Sequence, residues 1–217
     1  MVKRVVVYII GTLTLALGLV LNAKSGLGVS PIVSVPFAIS TFVPLSYGMC
    51  TTIIYLIFVA LQLLIKRQFD LKTILQIPFS YVFGLLMDFF GSVIKLSGLP
   101  LPLAFIQLLV GICLTALGVF MMLQMELIVN PADGFVGAFG ELIHKPYGTA
   151  KIMVDSGMVC ITLLICLFII HGLVGVGIGT AVAILLTGTM ISFYDRRFGR
   201  VFAQINLDSR IQSKYDD

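Results

Sequence analysis

Long apolar runs separated by short polar breaks dominate the chain. Six runs are long enough to cross a bilayer: residues 5–23, 48–65, 74–95, 102–123, 151–170 and 177–194. A membrane helix needs about 20 mainly apolar residues. The runs are continuously apolar, whereas a membrane strand alternates apolar and polar positions. An all-α membrane protein with six transmembrane helices is therefore predicted. Two shorter apolar pieces, residues 31–43 and 131–143, follow the first and fourth spans. A helix of that length reaches only about 20 Å, too short for a crossing. Both begin with a helix-start signature, Ser30-Pro31 and Asn130-Pro131. Ser and Asn cap helices well, and proline suits the first helical position. Both pieces are read as half-helices, either re-entrant or lying at the interface.

The spacing of these pieces exposes a duplication. Residues 11–48 laid over 111–148 without a gap match at ten positions: Gly11, Ala16, Leu17, Gly18, Leu27, Val29, Pro31, Ala38, Tyr47 and Gly48 recur one hundred residues later. Matched Gly and Pro positions carry backbone reasons, namely close packing and a fixed φ. Each half holds three spans, so the second half must enter from the opposite face. The expectation is two inverted three-helix repeats, residues 1–100 and 101–195, followed by a cytoplasmic tail, 196–217. The tail is read as a short surface helix with a disordered end.

Composition excludes the main soluble classes. Of the 217 residues, 59% are apolar and 11% charged, and the mean hydropathy is +1.11. Too few polar residues remain to coat a water-soluble surface. Charge then sets orientation. With the N-terminus inside, Lys3, Arg4, Lys66, Arg67, Lys72, Lys145, Lys151, Arg196, Arg197, Arg200, Arg210 and Lys214 lie on the inner side, against Lys24 and Lys95 outside. That asymmetry places both termini in the cytoplasm. The net charge of +4 is an orientation device and an anionic-lipid contact, with no nucleic acid expected. Met1 to Arg4 and the run behind them form a retained first span without a convincing cleavage site. The four cysteines read as small apolar packing residues.

Ionisable and polar residues at membrane depth are costly and become candidate site residues. Gln76, Ser80, Gly84 and Asp88 recur every four residues, sharing one face of the third span. Thr180, Ile184, Gly188 and Ser192 form the matching stripe of the sixth span after a four-residue slip. Such a stripe is either a helix-packing seam or a cavity wall; Asp88, with no counter-charge in its own span, sharpens the second option. Lys151 and Asp155 are one helical turn apart and can pair, as a structural bridge or as part of a substrate or proton site. Asp133 suits the first turn of its half-helix, although its repeat partner, Val33, shows that symmetry does not demand it. Glu126, Lys24 and Asn22 lie near span ends. The glycines from Gly172 to Gly179 lack the Lys-Ser/Thr of a phosphate loop. His144 and His171 are isolated, so no metal site and no cofactor is expected, and no catalytic motif is present.

The segments Gly26-Leu27-Gly28-Val29-Ser30-Pro31, Tyr47-Gly48 and Gly175-Val176-Gly177-Ile178-Gly179-Thr180 with Gly188 resemble the YczE/YitT family of small bacterial inner-membrane proteins. The pattern is similar at Lys151 and Asp155 and at Gly84 and Asp88, and departs at Lys72-Thr73 and Ile32. The resemblance implies a multi-pass protein of a bacterial cell membrane. From the residues themselves, the leading expectation is a small-solute transporter, with an anionic or zwitterionic metabolite bound between the repeats by Ser30, Asn130, Asp88, Lys151, Asp155, Gln76 and Thr180. A membrane substrate-binding subunit of a larger transporter, and a channel or regulatory membrane protein, are the alternatives. Exposed apolar faces and glycine seams permit a homodimer.

Overall fold

Every apolar run forms a helix in the computed structural model, which describes residues 2–215 and the side chains of residues 2–206. The helices are α1 (Val2–Lys24), α2 (Pro31–Ser40), α3 (Tyr47–Lys66), α4 (Leu71–Val93), α5 (Leu101–Met125), α6 (Pro131–Leu142), α7 (Tyr147–Ile170) and α8 (Ile178–Tyr215). Six of them are long and apolar enough to cross a membrane, and no strand occurs among the described residues. The helix boundaries follow local chemistry. The Ser46 hydroxyl accepts from Met49 N–H at the start of α3, and the Asp70 carboxylate accepts from Lys72 N–H at the start of α4. Pro31 and Pro131 open the two half-helices as expected, α2 beginning with a 3-10 turn, Pro31–Val33. One expectation fails at the C-terminal end. No separate tail helix forms, because α8 runs on without a break to Tyr215. Asn206 donates to the Gln124 carbonyl and Gln124 to the Asp195 carboxylate, which ties this extension to the end of α5. The last two residues of the tail, where a disordered end was expected, lie outside the described residues.

Lipid is as apolar as leucine, so membrane helices associate by close packing more than by hydrophobic burial. The α1–α5 pair shows this most clearly. A Cβ on Gly11 would press on the Gly118 carbonyl and one on Gly18 on the Gly111 carbonyl. The contact order is reversed along the two helices, so α1 and α5 run antiparallel. Their buried faces also correspond. Gly11, Thr12, Leu15, Ala16, Gly18, Leu19, Val20, Leu21 and Asn22 are buried, and so is each residue one hundred positions later.

The same offset holds to the end of the bundle. Ser80 and Thr180, Phe83 and Ala183, and Met87 and Thr187 are buried in pairs. A four-residue slip pairs Gln76 with Thr180, Phe79 with Ala183 and Phe83 with Thr187, which are buried as well, because four residues return to the same helical face. The half-helices are wedged between α3 and α7, each touching both. Pro31, Ile32, Val33, Ser34, Val35, Pro36 and Ala38 of α2 are buried, as are Pro131, Ala132, Asp133, Val136, Ala138 and Gly140 of α6. They insert among the spans instead of lying on the outside of the bundle.

Basic residues gather at the end of the bundle where α5 terminates. Arg4 donates to the Met125 carbonyl and Lys72 to the Glu126 carbonyl, close to the last turn of α5. Cations at a helix C-terminus meet its partial negative charge.

Candidate functional site

The half-helices bring their N-terminal ends to one internal cavity. Ser30 and Asn130, which precede α2 and α6, both line it, together with Tyr55, Thr115, Asp133, Lys151 and Thr187. Each of these residues is less than a tenth exposed. The space available to the centre of a water-sized group is only about 10 Å³. Tyr55 is held there by its ring, stacked on Phe83 of α4. Phe135 of α6 stacks in turn on Phe58 of α3, with centroids 4.9 Å apart. The aromatic layer fixes the half-helix against the span.

Charge concentrates on one side of this cavity. The Lys151 ammonium donates to Asp155 at 2.9 Å, in a pair whose side chains are 11% and 5% exposed. Asp133 accepts from the Tyr147 hydroxyl at 2.8 Å and from the Asn130 amide at 3.1 Å. Asp133 is close enough to interact with both Lys151 and Asp155. The buried group thus holds two acidic side chains, Asp133 and Asp155, and one basic one, Lys151. Among the described residues no group of three or more His, Cys, Asp and Glu side chains is placed to hold a metal ion.

Of the seven residues picked out from the sequence, Ser30, Asn130 and Lys151 line the cavity, and Asp155 joins them through its ion pair with Lys151. The other three do not line the cavity. Gln76 exchanges hydrogen bonds with Gln62, whose amide also donates to the Pro131 carbonyl, anchoring the start of α6. Thr180 donates to the Gly175 carbonyl and accepts from Gly177 N–H. It closes a loop that docks on the Gly26–Val29 segment. Gly179 N–H donates to the Leu27 carbonyl and Val29 N–H to the Gly175 carbonyl. Gly28 has a φ of +128°, a conformation open to glycine, and a Cβ there would strike Thr180. The two glycine-rich motifs thus form one structural joint. Asp88 is the third residue. It reaches from α4 to the start of α3, where the Ser46 hydroxyl and Gly48 N–H donate to its two oxygens.

The sequence matches the DUF6198 family, described as a family of unknown function, over residues 2–196. The chain belongs to this family. No curated protein and no solved structure matches it. For this DUF6198 chain, then, the geometry itself has to carry any reading of function.

That geometry differs between the halves where α3 meets α4 and where α7 meets α8. The α3–α4 seam is shut. A Cβ on Gly48 or Gly84 would collide with the backbone of the other, and Thr52 donates across to the Ser80 carbonyl. The α7–α8 seam is open. A cleft of about 530 Å³ separates the helices, lined by Tyr147, Gly148, Lys151, Ile184, Gly188 and Ile191 among others. Nothing lies within 4 Å of a Cβ built on Gly148 or Gly188. Lys151 and Ile191 line both the cleft and the internal cavity. Sequence reasoning missed Tyr55, Thr115, Tyr147 and Thr187 as members of the site. Tyr147 carried a signal, since it is one of the ten positions preserved in the duplication.

Proposed function

We propose that this protein is a small-solute membrane transporter that works by alternating access. The observation that carries the reading is the position of Lys151, which forms a wall between the buried polar cavity and an open cleft. A buried ion pair within a bundle of membrane helices is costly, and placing it beside an open cleft gives it a use. The reversed glycine contacts of α1 and α5 and the matched burial one hundred residues apart support inverted repeats. In such folds the substrate site lies between the repeats, near broken or short helices.

One seam shut and its counterpart open is the asymmetry expected of a carrier facing one side. With the orientation read from the basic residues, α7 begins at the cytoplasmic face, so the cleft opens inward. The multi-pass bacterial inner-membrane setting implied by the YczE/YitT resemblance agrees with this reading. Lys151 suits a carboxylate on the substrate, while Asp133 and Asp155 suit a positive group. A zwitterion matches both better than a simple anion does.

Counterflow in proteoliposomes tests the reading, with solutes chosen by a thermal-shift screen of metabolites. At least one stabilising solute is expected to exchange across the membrane, and Lys151→Ala to abolish exchange. A protein that exchanges none of its stabilising solutes, or that gives a steady conductance in planar bilayers, is not the carrier described.

A further inference from the structure

The donors and acceptors around the internal cavity do not balance. Tyr55, Thr115 and Asn130 are 0%, 4% and 4% exposed. Thr115 Oγ1 and Asn130 Oδ1 each lack a hydrogen-bond partner, and the Tyr55 hydroxyl, on the same small space, has the Asn130 amide as its polar neighbour. Buried polar atoms are nearly always satisfied, so unsatisfied oxygens around one cavity point to an occupant. The Asn130 amide group has already turned its donor side to Asp133, leaving only an acceptor free. An amide oxygen can be satisfied by a donor or by a cation, and never by an anionic oxygen. Asp133 on the same wall repels an anion and offsets the Lys151 ammonium, which also lines the cavity.

Size narrows the choice. Space for one water-sized centre excludes a carboxylate or phosphate and admits a single small group. From these observations we infer that the cavity is a subsite for one small cationic head, held by the Tyr55, Thr115 and Asn130 oxygens beside the Asp133 carboxylate. A primary ammonium has the right size and three donors for these acceptors. An alkali cation of sodium size offers the same chemistry through oxygen coordination. The shared wall at Lys151 adds a consequence. A substrate that seats its ammonium in the cavity and extends into the cleft carries its carboxylate past the Lys151 ammonium. This assignment rests on the carrier reading and deepens it to an amino-acid-like substrate or a sodium-coupled one.

The test is ligand-dependent thermal unfolding of the purified full-length protein at fixed pH and ionic strength, since a ligand that binds the native state raises the unfolding midpoint. The probes are the twenty L-amino acids against their N-acetyl derivatives, and sodium chloride against choline chloride. A saturable rise with an amino acid that vanishes on N-acetylation identifies an ammonium. A rise with sodium that choline does not give identifies an alkali cation. In either case Asn130→Leu is expected to weaken the apparent affinity at least tenfold. The near-isosteric Thr115→Val gives a second reading if the first variant does not fold. If neither amines nor sodium shift the midpoint, the cavity holds water only and the inference is wrong. It is equally overturned if the N-acetylated acids stabilise as strongly as their parents. In that last case counterflow of the acids would keep the carrier while removing the cation subsite. Stabilisation by sodium without any solute exchange would do the reverse.

Discussion

The two halves of this molecule share a packing plan and differ at the positions where function is expected. One hundred residues apart along α3 and α7, the first half carries Thr51 and Tyr55, and the second carries Lys151 and Asp155. All four are buried. Around them the helix pair of the first half is locked by glycine contacts and by Asp88, while that of the second half stands apart across a cleft. Burial is matched while the chemistry is not: α1 and α5 have corresponding buried faces, and the central surfaces of α3 and α7 differ. One half supplies a neutral aromatic wall and the other supplies charge.

The sharpest way to break that comparison is to remove the charge. Lys151→Met leaves Asp155 buried without its ammonium, which costs about 3–5 kcal/mol where it has been measured for buried pairs. The double variant Lys151→Met with Asp155→Leu is expected to recover most of that loss, because it removes the uncompensated carboxylate as well. In the first half, Thr51→Val forfeits only the hydrogen bond from its hydroxyl to the Tyr47 carbonyl, worth about 1 kcal/mol. Unfolding midpoints of the four proteins in one detergent check this order. Equal losses at position 51 and position 151 would mean that Lys151 is solvated through the cleft and not truly buried.

A second contrast concerns the seams. Gly84→Ala places a methyl group against Gly48 and Thr52, and overpacking of this kind costs about 1–3 kcal/mol. Gly188→Ala meets nothing within 4 Å and adds a better helix former, so its effect is expected within about 0.5 kcal/mol of zero or slightly stabilising. The difference in thermal midpoint between the two variants measures how far the seams differ. If Gly188→Ala destabilises as much as Gly84→Ala, the second seam spends most of its time closed.

Much of this architecture was legible in the sequence, because span length, apolar continuity and Pro-initiated half-helices are local properties. The starts of α2 and α6 follow from proline at the first helical position, whereas Ser30 and Asn130 in front of them make no side-chain cap hydrogen bond. Long-range partnerships were less legible. Asp88 looked like an unpaired intramembrane acid because its partners, Ser46 and Gly48, sit on a different helix. The stripe Gln76–Asp88 is a packing face whose members separate in function: Gln76 anchors α6, Ser80 and Gly84 close a seam, and Asp88 clasps α3. Tyr55 and Thr115 are ordinary membrane-helix residues in sequence and become site residues only when two half-helix ends converge on them. The continuous α8 was obscured because its charged extension lies beyond the apolar run, where hydropathy carries no information about helix length.

Asp88 gives the smallest energetic contrast and bears most directly on the carrier. Its carboxylate accepts two hydrogen bonds at the N-terminus of α3, where a negative charge also meets the helix dipole. Gly188, one hundred residues later, has no side chain to offer α7. Asp88→Asn keeps one acceptor and removes the charge, and since the residue is only partly buried the loss is expected to be about 1 kcal/mol. So small a change should leave the protein folded while loosening the shut seam. Thr52→Cys, in a background without the four natural cysteines, places a thiol inside that seam, and Thr189→Cys places one in the open cleft. A hydrophilic maleimide is expected to label position 189 readily and position 52 at least tenfold more slowly. Adding Asp88→Asn should raise labelling at 52 and, in a carrier whose seams open in turn, lower it at 189. A rise at 52 with no change at 189 would show that the two seams move independently, and the clasp would then be a stabilising contact of the first half alone.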